Sequence, residues 1–436
     1  MKVVKVGILG LGTVGGGTVN VIAANGQEIA RRIGCDVVIT RASARDLTRP
    51  RICPTENLQL TTDPYEVIND PEIDIVLELM GGEEPAKSLI IAALEQGKHV
   101  VTANKALIAC HGNELFAIAE KNKVVLAYES AIAGGIPIVK AVREGLSGNT
   151  IEWLAGIING TGNFILTEMR DKGSDFADVL KQAQELGYAE ADPEFDVEGI
   201  DAAHKLCILA SLAFGIPLQF EHVYTEGISA ITPVDLAYAE ELGYRIKHLG
   251  IARNGANGIE MRVHPTLIPE KQLIANVDGV MNAVVVKGNA VGPTLYYGAG
   301  AGADATASAV VADIVDICRQ LDAPVESRVA ALGFIADKLS DTKILPIESI
   351  TTAYYLRLQV EDKPGVMAAI TAVMAAQGIS IEAVLQKEPA NTQDNISVVL
   401  LTNKVQESAL VAAKVQLEAL DTIKAPLVRI RVETLD

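Results

Sequence analysis

The sequence predicts an α/β chain in three parts: a doubly wound parallel sheet at the N-terminus, an α+β segment in the middle, and a small βαββαβ module at the end. Three observations carry this. Val3 to Leu9 is a short apolar run followed at once by Gly10-Leu11-Gly12-Thr13-Val14-Gly15 and a helical stretch towards Arg32, the strand, turn and helix order of a dinucleotide-binding unit. Apolar strands and amphipathic stretches then alternate as far as Tyr128, the pattern of a parallel sheet with helices on its faces. From Tyr354 the order becomes strand, helix, strand, strand, helix, strand. A chain of 436 residues exceeds one ordinary core, and with 49% hydrophobic residues it can fill two or three.

In the first part each glycine of the turn has a reason. Gly10 makes the tight turn, Gly12 lets backbone approach a pyrophosphate, and Gly15 lets helix and strand pack closely. The helix opening at Thr13 and Val14 then aims its N–H groups and positive dipole end at the phosphates. The expected cofactor is therefore NAD(H) or NADP(H). Asp36 to Ala44 is the next strand and ends at Arg45-Asp46. An acidic residue there holds a ribose 2′-OH and an Arg accepts a 2′-phosphate, so the pair leaves the choice open. Asp74 to Met80 reads as a strand, Glu84 to Gln96 as a helix and His99 to Thr102 as a strand. Ala103-Asn104-Lys105 follows at a strand's carboxyl end, where ligands lie, so Lys105 is expected to face cofactor or substrate. Val124 to Tyr128 leads into Glu129 to Pro137, whose glycines expose backbone carbonyls, hard oxygen donors suited to a hard cation.

The middle part is organised around Ala183 to Lys205, which sets seven carboxylates (Glu185, Glu190, Asp192, Glu194, Asp196, Glu198, Asp201) against one His and a terminal Lys. Gly187 and Asp192-Pro193 read as loop, and Val197 onward as a helix. On it Asp201 and Lys205 lie four apart and share a face, so the carboxylate can hold the ammonium. An uncharged apolar run follows Lys205, placing its ammonium at the edge of a dry region; a solvated loop with a surface ion pair is the plainer alternative. Trp153 to Ile158 reads as a strand running into Asn159-Gly160-Thr161-Gly162-Asn163 and a helix from Phe164. Ile259 to Val263 and Ala283 to Lys287 read as late strands, Gly298 to Gly302 as a turn, and Asp304 to Arg319 as a long helix.

The formal charge of −18 argues against nucleic acid or an anionic membrane as partner. Five scattered cysteines without Cys-x-x-Cys spacing fit a reducing cytoplasm with free thiols and argue against structural zinc. The uncharged apolar run Leu206 to Phe220 is shorter than the roughly 20 residues of a spanning helix, and no secretory signal is read at the N-terminus.

Taken together, Ala183, Gly187, Tyr188, Ala189, Asp192-Pro193, Asp196, Val197, Gly199, Asp201 and Lys205 resemble the signature of homoserine dehydrogenases without a departure. The resemblance runs through most of the chain; in the Asn-Gly-Thr-Thr-Asn segment Gly162 replaces the second Thr and removes its hydroxyl. It implies Lys205 as the acid, oriented by Asp201 and assisted by Lys105, with Gly187, Glu190, Asp196 and Asp201 around the substrate. It places Arg45 at the phosphate-reading position, leaning towards NADP, and Gly302 near the cofactor. It implies a monovalent cation, Na⁺, held by carbonyls of Glu129, Ile132, Gly134 and Ile136. The C-terminal part, with Asp362-Lys363-Pro364-Gly365 after its first strand, resembles ACT domains, and threonine is the effector implied.

The expected architecture is then a Rossmann-like nucleotide domain over 1–137, completed by a returning helix around 302–320. A substrate and oligomerisation domain follows over 138–301, a return and linker over 302–345, and a ferredoxin-like ACT domain over 351–432. A homodimer or homotetramer is expected, and the chain reads as monofunctional. The ACT domain is expected to be removable from Tyr354 onward with the rest still folded. The activity implied is NAD(P)H-dependent interconversion of L-aspartate 4-semialdehyde and L-homoserine. The alternatives are an aspartate-semialdehyde dehydrogenase, which needs a nucleophilic Cys, and a non-catalytic sensor of dinucleotide and amino acid.

Overall fold

A computed structural model describes residues 2–387 and 395–435; residues 388–394 of the expected ACT domain lie outside the described part. Two compact units form, and each is discontinuous in sequence: one from residues 1–160, 201–223 and 280–342, the other from 161–200, 224–279 and 343–436.

The first unit holds six parallel strands, β1 (Lys2–Leu9), β2 (Cys35–Ser43), β3 (Gln59–Thr61), β4 (Ile75–Glu78), β5 (His99–Thr102) and β6 (Leu126–Ala127), in the order β3-β2-β1-β4-β5-β6. The order reverses between β1 and β4, the place where a doubly wound sheet opens its ligand crevice. Val4, Val6, Ile8, Ile75, Leu77 and Val101 share one core with Val19, Ile22 and Ile29 of helix Thr13–Ile33 and with Val310, Ile314 and Ile317 of helix Ala303–Gln320. The late helix thus packs against the parallel sheet and its first helix. It seats itself on the first helix at Gly17, where a Cβ would lie 2.6 Å from the Ala303 carbonyl oxygen. The same unit contains an antiparallel layer of Ile151–Ile157, Met281–Gly288 and Gly292–Ala299. Gly298, expected in a turn, lies inside the last of these strands; every second residue there is exposed, so the run lacks the apolar continuity that marks a buried strand.

The second unit is built on a long hairpin, Tyr244–Gly255 with Gly258–Pro269, whose register closes over Ala256-Asn257. Only Ile259 to Val263 of it was expected as strand. Strand Val428–Val432 runs parallel to the hairpin (Thr266 opposite Arg431) and antiparallel to Thr351–Glu361, and Asn395–Thr402 and Ile381–Gln386 complete the sheet. With helices Val366–Ala376 and Glu407–Glu418 this is the expected βαββαβ order. Its independence is not borne out. Tyr355, Val399, Leu401, Ile430 and Val432 lie in one core with Phe164, Met169, Leu236, Ile246 and Leu267 of the preceding segments of this unit. Arg357 also donates to the buried Asp235 at 2.6 Å (Nε) and 3.0 Å (Nη2).

The acidic stretch also differs in detail. A short helical turn, Glu194–Val197, precedes helix Ile200–Phe214. Gly199 at φ +85° breaks the run between them, a conformation open to glycine at little cost.

Candidate functional site

In the first unit the site grows from β5 and from helix Ile200–Phe214. At the end of β4 the buried Glu78 accepts from the Met80 N–H at 2.8 Å and from the Thr102 hydroxyl at 2.6 Å. Burial pushes this carboxyl up, and the hydrogen bonds only partly counter it. Thr102 Oγ1 accepts from the Asn104 N–H at 3.0 Å, and Asn104 caps the next helix by accepting from the Leu107 N–H at 3.1 Å. Lys105 is the first residue of that helix, so its origin is fixed by polar contacts running back to the sheet.

Its ammonium lies 3.1 Å from Asp201 Oδ1. The other oxygen, Oδ2, accepts from Lys205 Nζ at 2.7 Å and from Asn159 Nδ2 at 2.9 Å, and Lys205 Nζ also donates to the Ile158 carbonyl at 2.8 Å. Asp201 is 4% exposed, where a lone carboxylate would be forced neutral. Burial pulls its pKa up, but the charges of Lys205 and Lys105 and the hydrogen bonds from Lys205 and Asn159 outweigh it and hold the carboxyl well below the usual range. The centre is thus one ionised carboxylate carrying two ammonium groups, with Lys205 the more enclosed of the two.

All three expected catalytic residues meet here. Asn159 was noticed only as part of its segment; its side chain reaches Asp201 across 42 positions, beyond any local spacing rule. Next to Lys205 in sequence, His204 stacks on Phe220 with centroids 4.1 Å apart, and its Nε2 is 3.8 Å from Cys110 Sγ. Burial lowers the His204 pKa to about 4, so the ring is neutral near pH 7.

At the sheet's switch point Gly10 has φ +98°, and a Cβ there would lie 2.7 Å from the Leu79 carbonyl oxygen; one at Gly15 would lie 2.3 Å from the Gly10 oxygen. Both positions need glycine for the turn to close. Gly12 differs. It caps the helix at Thr13 without a side-chain bond, and a Cβ there would meet nothing within 4 Å. Space is therefore open beside Gly12, where the helix that begins at Thr13 and Val14 starts with no acidic residue in its first turn. That is what a dinucleotide's pyrophosphate requires, and the residues present fit the group. Gly302, at φ +120° and equally open, caps the returning helix.

Beyond β2, Arg45 is exposed, whereas Asp46 is occupied in its own turn, accepting from the Thr48 N–H at 2.8 Å and hydroxyl at 2.7 Å. Arg51, which the sequence did not single out, donates to the Leu11 carbonyl at 2.7 Å and to that of Asp46, tying the Arg45 loop to the glycine turn. The carbonyl segment also lies in this unit. Ala133 and Gly134 both take positive φ, and the carbonyls of Glu129 and Ile136 accept from the Ile132 and Ile138 N–H groups at 3.3 and 2.8 Å. Each of those two keeps a second lone pair.

Gly187, Glu190 and Asp196 belong to the second unit. Gly187 follows helix Phe176–Glu185 at φ +76°. Glu190 is exposed, and its carbonyl accepts from Gln184 Nε2 at 3.1 Å. Asp196 sits in the short turn before Gly199. Thr161 donates its hydroxyl to the Tyr188 carbonyl at 2.6 Å, which anchors the start of the loop. Gly162 is buried in helix Gly160–Lys172.

Three family models together match most of the chain. Residues 10–129 match the model of the NAD binding domain of homoserine dehydrogenase, 137–315 the homoserine dehydrogenase model, and 354–419 the ACT domain. Homoserine dehydrogenase of Pseudomonas aeruginosa is 59% identical over 437 residues, with both chains fully covered. The chain belongs to the homoserine dehydrogenase family. The enzyme of Neisseria gonorrhoeae is 52% identical, again over the full length of both. The crystal structure of a homoserine dehydrogenase from Thiobacillus denitrificans superposes with a TM-score of 0.95 at 59% identity, covering 100% of this chain and 99% of that one. A mutant hyperthermophilic archaeal homoserine dehydrogenase in complex with NADPH aligns with 74% of this chain and 99% of its own at 27% identity and a TM-score of 0.62. The protein is thus an oxidoreductase with a nicotinamide-dinucleotide domain and an ACT domain. Among the described residues no helix is long and apolar enough to cross a membrane.

Proposed function

We propose that the protein interconverts L-aspartate 4-semialdehyde and L-homoserine with NADP(H) in preference to NAD(H), on the route to threonine, methionine and isoleucine. The observation that carries this is the ionised Asp201 with Lys205 and Lys105 on its two oxygens. Bound dinucleotide supplies hydride to the aldehyde carbon or accepts it from the alcohol carbon. As the carbonyl oxygen gains charge, the Lys205 ammonium stabilises it and then gives it a proton; in the other direction Lys205 takes the hydroxyl proton. Asp201 and the Ile158 carbonyl fix where that ammonium lies, and Lys105 adds a second positive charge to the same carboxylate. Glu190 takes the substrate's amino group, with Gly187 and Asp196 shaping the loop.

The backbone at Thr13 and Val14 holds the pyrophosphate, and Gly302 borders the cofactor. Arg45 reads the 2′-phosphate. With Asp46 committed to Thr48, the acid that would favour NAD is withdrawn from the role, which supports NADP. The positive-φ turn at Ala133 and Gly134 supports a Na⁺ site on the carbonyls of Glu129, Ile132, Gly134 and Ile136. Threonine at the ACT domain, a homodimer or homotetramer, and a cytoplasmic location complete the reading, the last supported by five free thiols.

An aspartate-semialdehyde dehydrogenase would need an activated thiol. Cys110 has His204 beside it, but burial and the charges of Glu83 and Glu221 push its thiol up, and burial pushes Cys207 up to about 12. Neither is a poised nucleophile. The test is nicotinamide absorbance with purified protein: L-homoserine should reduce NADP without phosphate, and Arg45→Ala should weaken NADP more than NAD. NADPH formation only from aspartate semialdehyde plus phosphate would establish the thioester chemistry. Cofactor binding without turnover of either substrate would establish a sensor.

A further inference from the structure

The acidic segment that the functional reading assigns to substrate is held from behind by residues 227–229, which follow Glu226 directly. The Ile228 N–H donates to the Val197 carbonyl at 2.9 Å, and Ser229 donates its hydroxyl to Glu198 Oε1 at 2.6 Å. Between them Gly227 runs so close to the segment that a Cβ would lie 2.8 Å from Glu198 Cα. The Glu226 carbonyl accepts from His248 Nε2 at 3.0 Å, and a Cβ on Gly199 would lie 3.1 Å from His248 Cε1. Burial lowers the His248 pKa to about 4, so a neutral ring keeps Nε2–H as donor.

The Glu226 side chain points the other way, into the last strand of the ACT domain. Its Oε2 accepts from Arg431 Nη1 at 2.7 Å, Arg429 Nη2 at 3.3 Å and the Tyr224 hydroxyl at 2.9 Å. Arg431 is in turn held by Glu407, with Nε and Nη2 at 2.9 and 2.7 Å from its two oxygens. The links therefore run from Glu407 and Arg431 to the Glu226 carboxylate, and from Glu226 along its own backbone to residues 227–229 and through its carbonyl to His248, which meet the segment at Val197 to Gly199.

We propose that Glu226 is a positioning residue: gripped by Arg429 and Arg431, it sets the acidic segment for substrate and makes substrate affinity depend on the last strand of the ACT domain. The proposal rests on the reading of that segment as the substrate side of the site.

Glu226→Gln tests it in the full-length protein. The change keeps shape and removes charge, and Arg431 retains its bidentate partner Glu407, so the fold is expected to persist. The expected result is a KM for homoserine raised about fivefold or more, the low end of typical coupling, with kcat and the KM for NADP within about twofold. Backbone hydrogen exchange over residues 190–199 should quicken. Gly227→Ala should give the same split by displacing Glu198 while leaving the arginine contacts intact. Unchanged KM and exchange in Glu226→Gln overturns the proposal. So does a loss of melting temperature with all kinetic parameters falling in proportion to active protein, which is a purely structural role. If the parent turns over no homoserine, the functional reading fails by itself, and the exchange measurement still decides whether Glu226 holds the segment.

Discussion

Lys205→Ala is the perturbation for which the structure separates chemistry from folding most cleanly. Removing a partner from a buried ion pair is normally severe, about 3–5 kcal/mol, because the remaining charge is stranded. Here Asp201 would keep Lys105 at 3.1 Å and Asn159 at 2.9 Å. The stability loss should therefore be nearer that of one charged hydrogen bond, about 1.5–3 kcal/mol, and the variant should fold. Its turnover should suffer more. A positioned acid–base group contributes about 10²–10⁴-fold, equivalent to about 2.7–5.5 kcal/mol of barrier. The dinucleotide is read as held by the turn from Gly10 to Gly15, so its affinity should change little. Steady-state kcat, NADPH affinity by fluorescence titration and melting temperature, measured on one preparation, check all three. Turnover within about threefold of the parent would remove Lys205 from the mechanism and leave Lys105 as the candidate.

Gly12→Ala should melt at the parent temperature, because its methyl enters open space, yet weaken NADP(H) about tenfold or more by blocking the backbone's approach to the pyrophosphate; unchanged affinity would place the pyrophosphate elsewhere. Removing residues from Tyr354 onward should give insoluble or molten protein, read by near-ultraviolet circular dichroism, since the shared core loses Tyr355, Val399, Leu401, Ile430 and Val432; a cooperative melt of the truncated chain would refute this. Acidification should destabilise the protein between pH 6.5 and about 4: His248 titrates near 6.5 when unfolded but near 4 when folded, because burial disfavours its charged form, so the unfolded chain binds more protons in that window and stability falls with pH. The loss from this group tends towards roughly 3 kcal/mol, and a His248→Gln variant should show a shallower decline in melting temperature over the same range.

What could be read from sequence was local. The glycine turn declares itself within six residues, and Asp201 and Lys205 share a helical face by spacing alone. Lys105 is singled out by a rule about strand ends, and β5 stops three residues before it, at Thr102. What escaped was non-local or masked. The contact of Asn159 with Asp201 and the reach of Arg51 to Leu11 across 40 positions have no periodic signature. The first strand of the long hairpin reads YRIKHLGIARNG, and its buried Lys247 and His248 conceal a strand from any hydrophobic count. Asn257-Gly258 was a usable turn signal there.

The same masking explains why the ACT segment looked separable. Its pattern is that of a complete small module, but several of its partners are charged, and charge in a sequence reads as surface. Arg431, Arg357 and Glu407 are instead buried, as are Arg262 and Asp235 in the earlier segments of the same unit. Such pairs add little net stability, since desolvation offsets most of their attraction. They do penalise every other alignment, because a shift of register would strand a buried charge. Arg431 meets Glu407 and Glu226, and Arg262 meets Glu433 at 2.6 Å, so the last strand has one position beside the hairpin that satisfies them, while Arg357 on Thr351–Glu361 meets Asp235 and fixes that strand in turn. Apolar contacts supply the attraction between these distant segments; the ion pairs select the arrangement in which Glu226 faces Arg431.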